Sequence, residues 1–275
     1  MMVPGDFFDL KDRGHQELFQ SAAPVWTVLD RLPAYLASFF EGAWPLAHHA
    51  GMVVKPLVIF KGTVREDLAV RVSEKNVVQA FEGGRPLDDV AIIMPGAYLF
   101  GDQVIVGPRT VVEPGALIKG PTVLGADTEV RQGAYLRGDC LIGNGCVVGH
   151  TTEVKGSVML DGAKAGHFAY IGDSILGRDV NLGAGTKLAN LKVIPGTIRV
   201  AVERQYHDTG RRKLGAILGD RTETGCNSVT SPGTFMKPDC IVYPGISVPG
   251  GYYPDRSCVM PSRGTIEVKS LRSKS

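Results

Sequence analysis

A mainly β fold, a left-handed parallel β-helix, is the class predicted for this 275-residue chain, and three observations predict it. Counting in sixes from Val106 meets Val112, Ile118, Leu124, Val130, Leu136, Ile142, Val148, Val154 and Leu160, all aliphatic. Two residues earlier in each unit stand Val104, Thr110, Ala116, Thr122, Thr128, Ala134, Cys140, Cys146, Thr152 and Val158, all small or β-branched. Glycine supplies 35 residues, and Gly107, Gly125, Gly143 and Gly149 directly follow aliphatic positions. A period of six is neither the 3.6 of an amphipathic helix nor the 2 of a half-buried strand. Each hexapeptide is expected to form one flat side of a triangular coil. Its aliphatic residue points inward, its small residue fits the narrow corner, and glycine accepts the backbone angles of the turn. Three sides make a coil of about eighteen residues, and coils stack at about 4.8 Å.

The elements follow in order. Residues 1–60 lack the period and are expected to form a helical N-terminal cap. The stretch "HQELFQSAAPVWTVLDRLPAYLASFF" is amphipathic, with Pro24 and Pro33 at expected helix starts. An uncovered β-helix end is an exposed sheet edge, so Trp26, Leu29, Leu32 and Leu36 are expected to cover it. The β-helix domain is expected over residues 61–260, with an irregular first coil in residues 52–90. The period slips between Leu160 and Ile171, then resumes at Ile171, Leu176, Leu182 and Leu188. A later run, Leu218, Thr224, Thr230, Met236, Val242 and Val248, has Ala216, Thr222, Ser228, Thr234, Cys240 and Ile246 as small partners. Between the runs, residues 191–215 break the phase and are expected to leave the coil as a loop or short hairpin. Residues 261–275 are expected to be a frayed basic tail.

Composition narrows the function classes. A formal charge of +2 gives no argument for nucleic acid or a membrane surface. The five cysteines contain no C-x-x-C pair, which argues against a disulfide framework or a zinc knuckle. Cys140, Cys146 and Cys240 fall at corner positions, where they act as small buried groups. No apolar run reaches the length of a membrane span, and the N-terminus does not resemble a secretory signal. The expectation is a reduced cytoplasmic protein.

Two polar features stand out against the repeat. Lys119, Arg137 and Lys155 are eighteen residues apart and should stack on one edge. Either they are a solvated ladder, or an anion offsets their repulsion. His167 sits among small residues in "KAGHFAYIGDS". It is either a histidine held in a structural repeat or a proton acceptor whose ordinary pKa suits neutral pH.

The segment "LRGDCLIGNGCVVGHTTEVKGSVMLDGAKAGHFAYIGDSILGRDVNLGAGTKLAN" resembles the acetyltransferase domain of the bifunctional bacterial enzyme that makes UDP-N-acetylglucosamine, a hexapeptide-repeat acyltransferase. The resemblance covers Leu136 to Asn190 well and extends loosely through the flanking hexapeptides. It implies acetylation of glucosamine-1-phosphate, or of a related amino sugar or sugar nucleotide, with acetyl-CoA as co-substrate and no metal. His167 matches the family's catalytic histidine. Arg137 and Lys155 match the residues that bind the sugar phosphate, and Tyr170 and Asn181 those that bind the sugar. Ala184, in the G-A-G-T segment, and Asn190 match positions that approach acetyl-CoA, and Cys226 stands where the family has a serine near that co-substrate. The family forms homotrimers with sites between subunits, so Asn190 and Cys226 are expected to serve a neighbour's site. Three departures follow. Leu191 replaces a tyrosine. The phosphate-reaching lysine has no aligned partner, leaving Lys192, Arg199 and Arg204 open as substitutes. No uridylyltransferase motif occurs. Two rivals remain: a non-catalytic binding or assembly module with a degenerate site, and a metalloenzyme resembling hexapeptide carbonic anhydrases. The second needs a third histidine and an H-x-x-x-x-H pair, which His150, His167 and His207 do not form.

Overall fold

The computed structural model describes residues 2–11, 14–20, 23–74, 77–202, 205–262 and 265–270. From Ala91 the chain winds through a left-handed parallel β-helix with three faces. The first face begins with Ala91–Ile93 and Val111–Val112 and includes Lys164–His167 and Asn181–Leu182. The second begins with Tyr98–Phe100 and Leu117–Lys119 and includes Glu153–Lys155 and Tyr170–Gly172. The third begins with Val104–Val106 and Thr122–Leu124 and includes Ile175–Leu176 and Ala216–Leu218.

The aliphatic positions from Val106 to Val154 enter one buried core, as the period predicts. The next does not. Met159, not Leu160, fills the core, and Ser157, not Val158, takes the small corner position. Val158 and Leu160 instead face an outer apolar cluster. The cause is one short corner. Leu136 pairs with Val154 eighteen residues on, whereas Cys140 pairs with Ser157 only seventeen on. Lys155–Gly156–Ser157 therefore turns in one residue fewer than Arg137–Gly138–Asp139–Cys140. The slip lies at Lys155–Ser157 rather than between Leu160 and Ile171.

Gly107, Gly125, Gly143 and Gly149 are not there for left-handed backbone angles, which other residues at the corners adopt. They give the next coil room. A Cβ at Gly107 or Gly125 would lie 2.5 Å from the carbonyl carbon of Gly125 or Gly143 above it. At Gly149 it would lie 1.8 Å from the Gly166 carbonyl oxygen.

The N-terminal helix Val28–Ser38 lies along a side of the β-helix, not across its end. Trp26, Leu29, Leu32 and Leu36 pack in one cluster with Val123, Leu141, Val158, Ile175, Ile217 and Phe235, the outward residues of the third face. Those outward positions are apolar, so this face needs a cover of its own. The end is closed by Leu46 and Val53, with Trp44 packed against them, and by Leu57–Phe60 running antiparallel to Ala91–Ile93. The buried Asp220 carboxylate clasps the N-terminal segment by accepting the Asp9 and Arg178 amides at 2.8 Å each. Antiparallel hairpins precede the β-helix rather than an irregular first coil: Leu57–Phe60 with Thr63–Arg65, and Ala69–Val72 with Val78–Glu82.

The insertion leaves the coil as a hairpin, Arg199–Val202 with Gln205–Asp208. Its Ile198, Val200 and Leu214 join the outer cluster, and Arg211 pairs with Asp30 on the N-terminal helix. At the C-terminus, Thr265–Ser270 pairs antiparallel with Ser257–Ser262, so this part of the expected frayed tail is a strand. Residues 263, 264 and 271–275 of that expected tail lie outside the described residues.

Cys140, Cys146 and Cys240 are buried at corners, as their spacing predicts. Burial pushes the first two thiols up to about 12 and the third up to about 11. A folded value raised above the unfolded one near 9 leaves its stability intact below pH 9 and withdraws it as pH rises toward the folded value. Each such thiol is expected to cost about 1.4 kcal/mol per pH unit in that window. Urea midpoints at pH 8 and pH 10.5 measure this; equal midpoints would contradict it.

Candidate active site

The corner between the first and second faces carries a continuous backbone ladder. Phe168 donates its amide to the His150 carbonyl at 2.8 Å, and Gly185 to His167 at 3.0 Å. Asn227 then donates to Ala184 at 2.8 Å, and Gly245 to Cys226 at 2.8 Å. Stacked on one another are therefore His150, His167, Ala184 and Cys226. Three of these were expected site residues, and His167 and Cys226 are exposed. Phe168, a bulky residue with φ 54°, occupies the left-handed corner beside His167. That backbone region is costly for a residue of this size. Its ring meets His150 edge-on at 5.2 Å and His167 at 6.2 Å, and so walls the histidine on one side. The sequence reading missed Phe168, because nothing in the hexapeptide period distinguishes it from other corner residues.

The corner between the second and third faces carries the expected basic ladder. Lys119 pairs in register with Arg137, and Lys155 lies over the next coil's Gly172. Each cation has a local partner. Lys119 lies over the Phe100 ring at 5.6 Å, and Arg137 meets Glu153 at 2.7 Å. Lys155 meets both oxygens of Asp173 at 3.2 Å. The Glu153 carboxylate keeps the Arg137 guanidinium charged well above its ordinary range. Asp173 is itself buried and accepts the Asn190 side-chain amide. Tyr170 donates its hydroxyl to the Asn190 side-chain oxygen Oδ1 at 3.3 Å. Burial first, then the Glu153 and Asp173 charges, push the Tyr170 phenol up, so it stays a neutral donor. Gly172 makes this arrangement possible, since a Cβ there would lie 2.5 Å from the Tyr170 hydroxyl and 2.7 Å from the Asn190 amide nitrogen.

The structure thus brings Lys155, Tyr170 and Asn190 together, with Arg137 one coil below Lys155. Asn190 belongs to this polar group rather than to the corner of Ala184 and Cys226. Asn181 joins neither. It is exposed on the first face, paired with Lys164 and Glu223. His167 and Lys155 mark opposite corners of the second face, at most roughly 17 Å apart at strand rise.

Three residues are open as the phosphate-reaching cation. Lys192 binds the Thr197 carbonyl at 3.3 Å, and Arg199 lies over the Tyr206 ring at 5.7 Å. Arg204 lies outside the described residues. Next to Asp173, Leu191, Arg211, Arg212 and Lys213 line a cleft of about 570 Å³. Among the described residues, no three His, Cys, Asp or Glu side chains are grouped to hold a metal ion. No helix among them is long and apolar enough to cross a membrane.

The family model described as the GMPPB C-terminal domain matches residues 118–224. The bifunctional sugar-1-phosphate nucleotidylyltransferase/acetyltransferase of Sulfurisphaera tokodaii is 42% identical over 101 residues, covering 37% of this chain and 25% of that protein. The bifunctional protein GlmU of Methanocaldococcus jannaschii is 36% identical over 93 residues, covering 34% of this chain and 22% of that protein. The chain spans about a quarter of the length of these bifunctional relatives. The putative acetyltransferase YaiX of Escherichia coli K12 is 30% identical over 222 residues, covering 80% of this chain and 91% of that protein.

Proposed function

Because the chain belongs to the hexapeptide-repeat acetyltransferase family that includes YaiX, we propose that it moves the acetyl group of acetyl-CoA onto the amine of a phosphorylated amino sugar. Glucosamine-1-phosphate, or a related sugar nucleotide, is the acceptor class. The observation that carries this reading is the corner column of His167, Ala184 and Cys226, with His167 and Cys226 exposed, one face-width from the polar group of Lys155, Tyr170 and Asn190. The amine nitrogen bonds to the thioester carbonyl carbon, and His167 accepts its proton. The tetrahedral intermediate expels the CoA thiolate, which recovers a proton from His167. The Ala184 amide, which donates to no acceptor among the described residues, faces the developing oxyanion. Arg137 and Lys155 flank the acceptor with their long side chains, and Tyr170 positions the sugar.

Asn181, on a different face from Tyr170, serves the acceptor bound at a neighbouring copy in a homotrimer. Asn190 acts through Tyr170 and Asp173 rather than on acetyl-CoA. The donor runs along the corner past Ala184 and Cys226, and Cys226 tests that placement. It is the exposed cysteine of the five; the other four are buried. Iodoacetamide at neutral pH is expected to modify Cys226 and spare the rest, and saturating acetyl-CoA to slow that reaction at least tenfold. An unchanged rate with acetyl-CoA bound would remove the donor from this corner.

A further inference from the structure

We infer that the acceptor's phosphate is bound by Arg212 and Lys213 of the insertion, in the cleft beside Asp173, and that these two residues set the preference for a phosphorylated acceptor. This inference rests on the acyl-transfer reading for the identity of the acceptor, but not for the existence of the anion site.

The argument starts from charge. Phosphate binding by Lys or Arg gains most where the cation has no competing carboxylate. Arg137 and Lys155 both have one: Glu153 at 2.7 Å, and the buried Asp173 at 3.2 Å. A phosphate entering there meets two paired carboxylates as well as two cations. Arg211 is also engaged, by Asp30 and by donation to the Lys213 carbonyl at 3.2 Å. Arg212 and Lys213 differ. Both are exposed, both line the cleft, and among the described residues neither has an ion-pair partner. The excess positive charge of the cleft therefore sits on these two side chains.

Backbone contacts fix them at the site. Lys213 bridges Leu191 across the root of the insertion. The two following amides are tied to the polar group itself: Leu214 donates to the Asn190 carbonyl at 2.9 Å, and Gly215 to the Asp173 carbonyl at 2.9 Å. Asn190 and Asp173 are the residues that hold Tyr170 and Lys155. No side chain larger than hydrogen fits at Gly215, where a Cβ would lie 2.2 Å from the Ser174 hydroxyl and 2.3 Å from the Gly172 carbonyl oxygen. The return leg of the insertion is thus tied to the polar group of Lys155, Tyr170 and Asn190, and Arg212 and Lys213 line the cleft beside it with Asp173. The cleft volume of about 570 Å³ lies within the range of small-molecule pockets.

The test measures binding before turnover. Calorimetric titration with inorganic pyrophosphate compares wild type with an Arg212→Gln/Lys213→Gln double variant, and with Lys164→Gln as a surface-charge control on the first face. Pyrophosphate is expected to bind the double variant at least tenfold more weakly, with wild-type affinity in the control and an unchanged thermal midpoint in both. Equal affinity in wild type and double variant, or equal loss in the control, overturns the inference. If CoA release from acetyl-CoA is then observed, the double variant should raise KM for glucosamine-1-phosphate at least tenfold and leave KM for free glucosamine unchanged. A KM that rises equally for both acceptors also overturns it. A diphosphate-linked acceptor is distinguished from a monophosphate by which of the two loses more affinity in the double variant. Absence of CoA release with every acceptor would sink the acyl-transfer reading and leave the pyrophosphate result standing.

Discussion

His167→Ala is expected to lower turnover by roughly 10²–10⁴-fold, the contribution of a positioned proton acceptor. Its effect on stability should be small. His167 is exposed and its ring fills no core space. The corner it occupies is held by backbone, through the bond from the Gly185 amide to the His167 carbonyl, which alanine keeps. Surface substitutions of this kind usually change stability by less than about 0.5 kcal/mol. The expected signature is thus a loss of kcat at an unchanged thermal midpoint. Phe168→Ala provides the contrast, because that ring touches His167 without exchanging a proton. It should alter KM more than kcat. Near wild-type turnover in His167→Ala would exclude the base role.

Gly149→Ala is expected to be among the most damaging single-methyl changes in the chain. The added Cβ would lie 1.8 Å from the Gly166 oxygen, 2.1 Å from its carbonyl carbon and 2.5 Å from its Cα. All three are backbone atoms of the next coil, so no side chain can swing aside. The coil that must move is the one that carries His167. Overpacking usually costs 1–3 kcal/mol and sometimes more; a cost of about 3 kcal/mol corresponds to a fall of about 5 °C in thermal midpoint at this chain length. Gly166→Ala is the internal control. Nothing lies within 4 Å of a Cβ there, so its thermal midpoint should stay near wild type. If the two substitutions shift the midpoint equally, the close approach of coils at Gly149 is not what the glycine provides.

The fold was legible because the hexapeptide period reports directly on which side chains enter a narrow core. Val112 through Val154 are buried in that core. Legibility ended where one corner lost a residue. After Lys155–Gly156–Ser157 the inward position moves from Leu160 to Met159, and both are aliphatic enough to satisfy a pattern read by eye. The cover on the third face was also readable in principle. Val123, Leu141, Val158, Ile175 and Ile217 are apolar at outward positions, which signals a buried outer side rather than a covered end.

The candidate site was legible in its cations and not in its anions. Arg137 and Lys155 stand out by their spacing of eighteen. Glu153 and Asp173 reach them from other coils, and only the stacking register reveals those pairs. Arg212 and Lys213 were out of reach for a different reason. An insertion has no register of its own, and its return leg is located only by the bonds from Leu214 and Gly215 to Asn190 and Asp173.

The most direct measurement of the central claim is free-thiol release from acetyl-CoA with glucosamine-1-phosphate, with the sugar product weighed by mass spectrometry, wild type beside His167→Ala. The account predicts thiol release that depends on the amino sugar, one N-acetyl group gained per thiol freed, and loss of both in the variant. Thiol release equal in the two proteins, or none from wild type across a panel of phosphorylated amino sugars and sugar nucleotides, would contradict it.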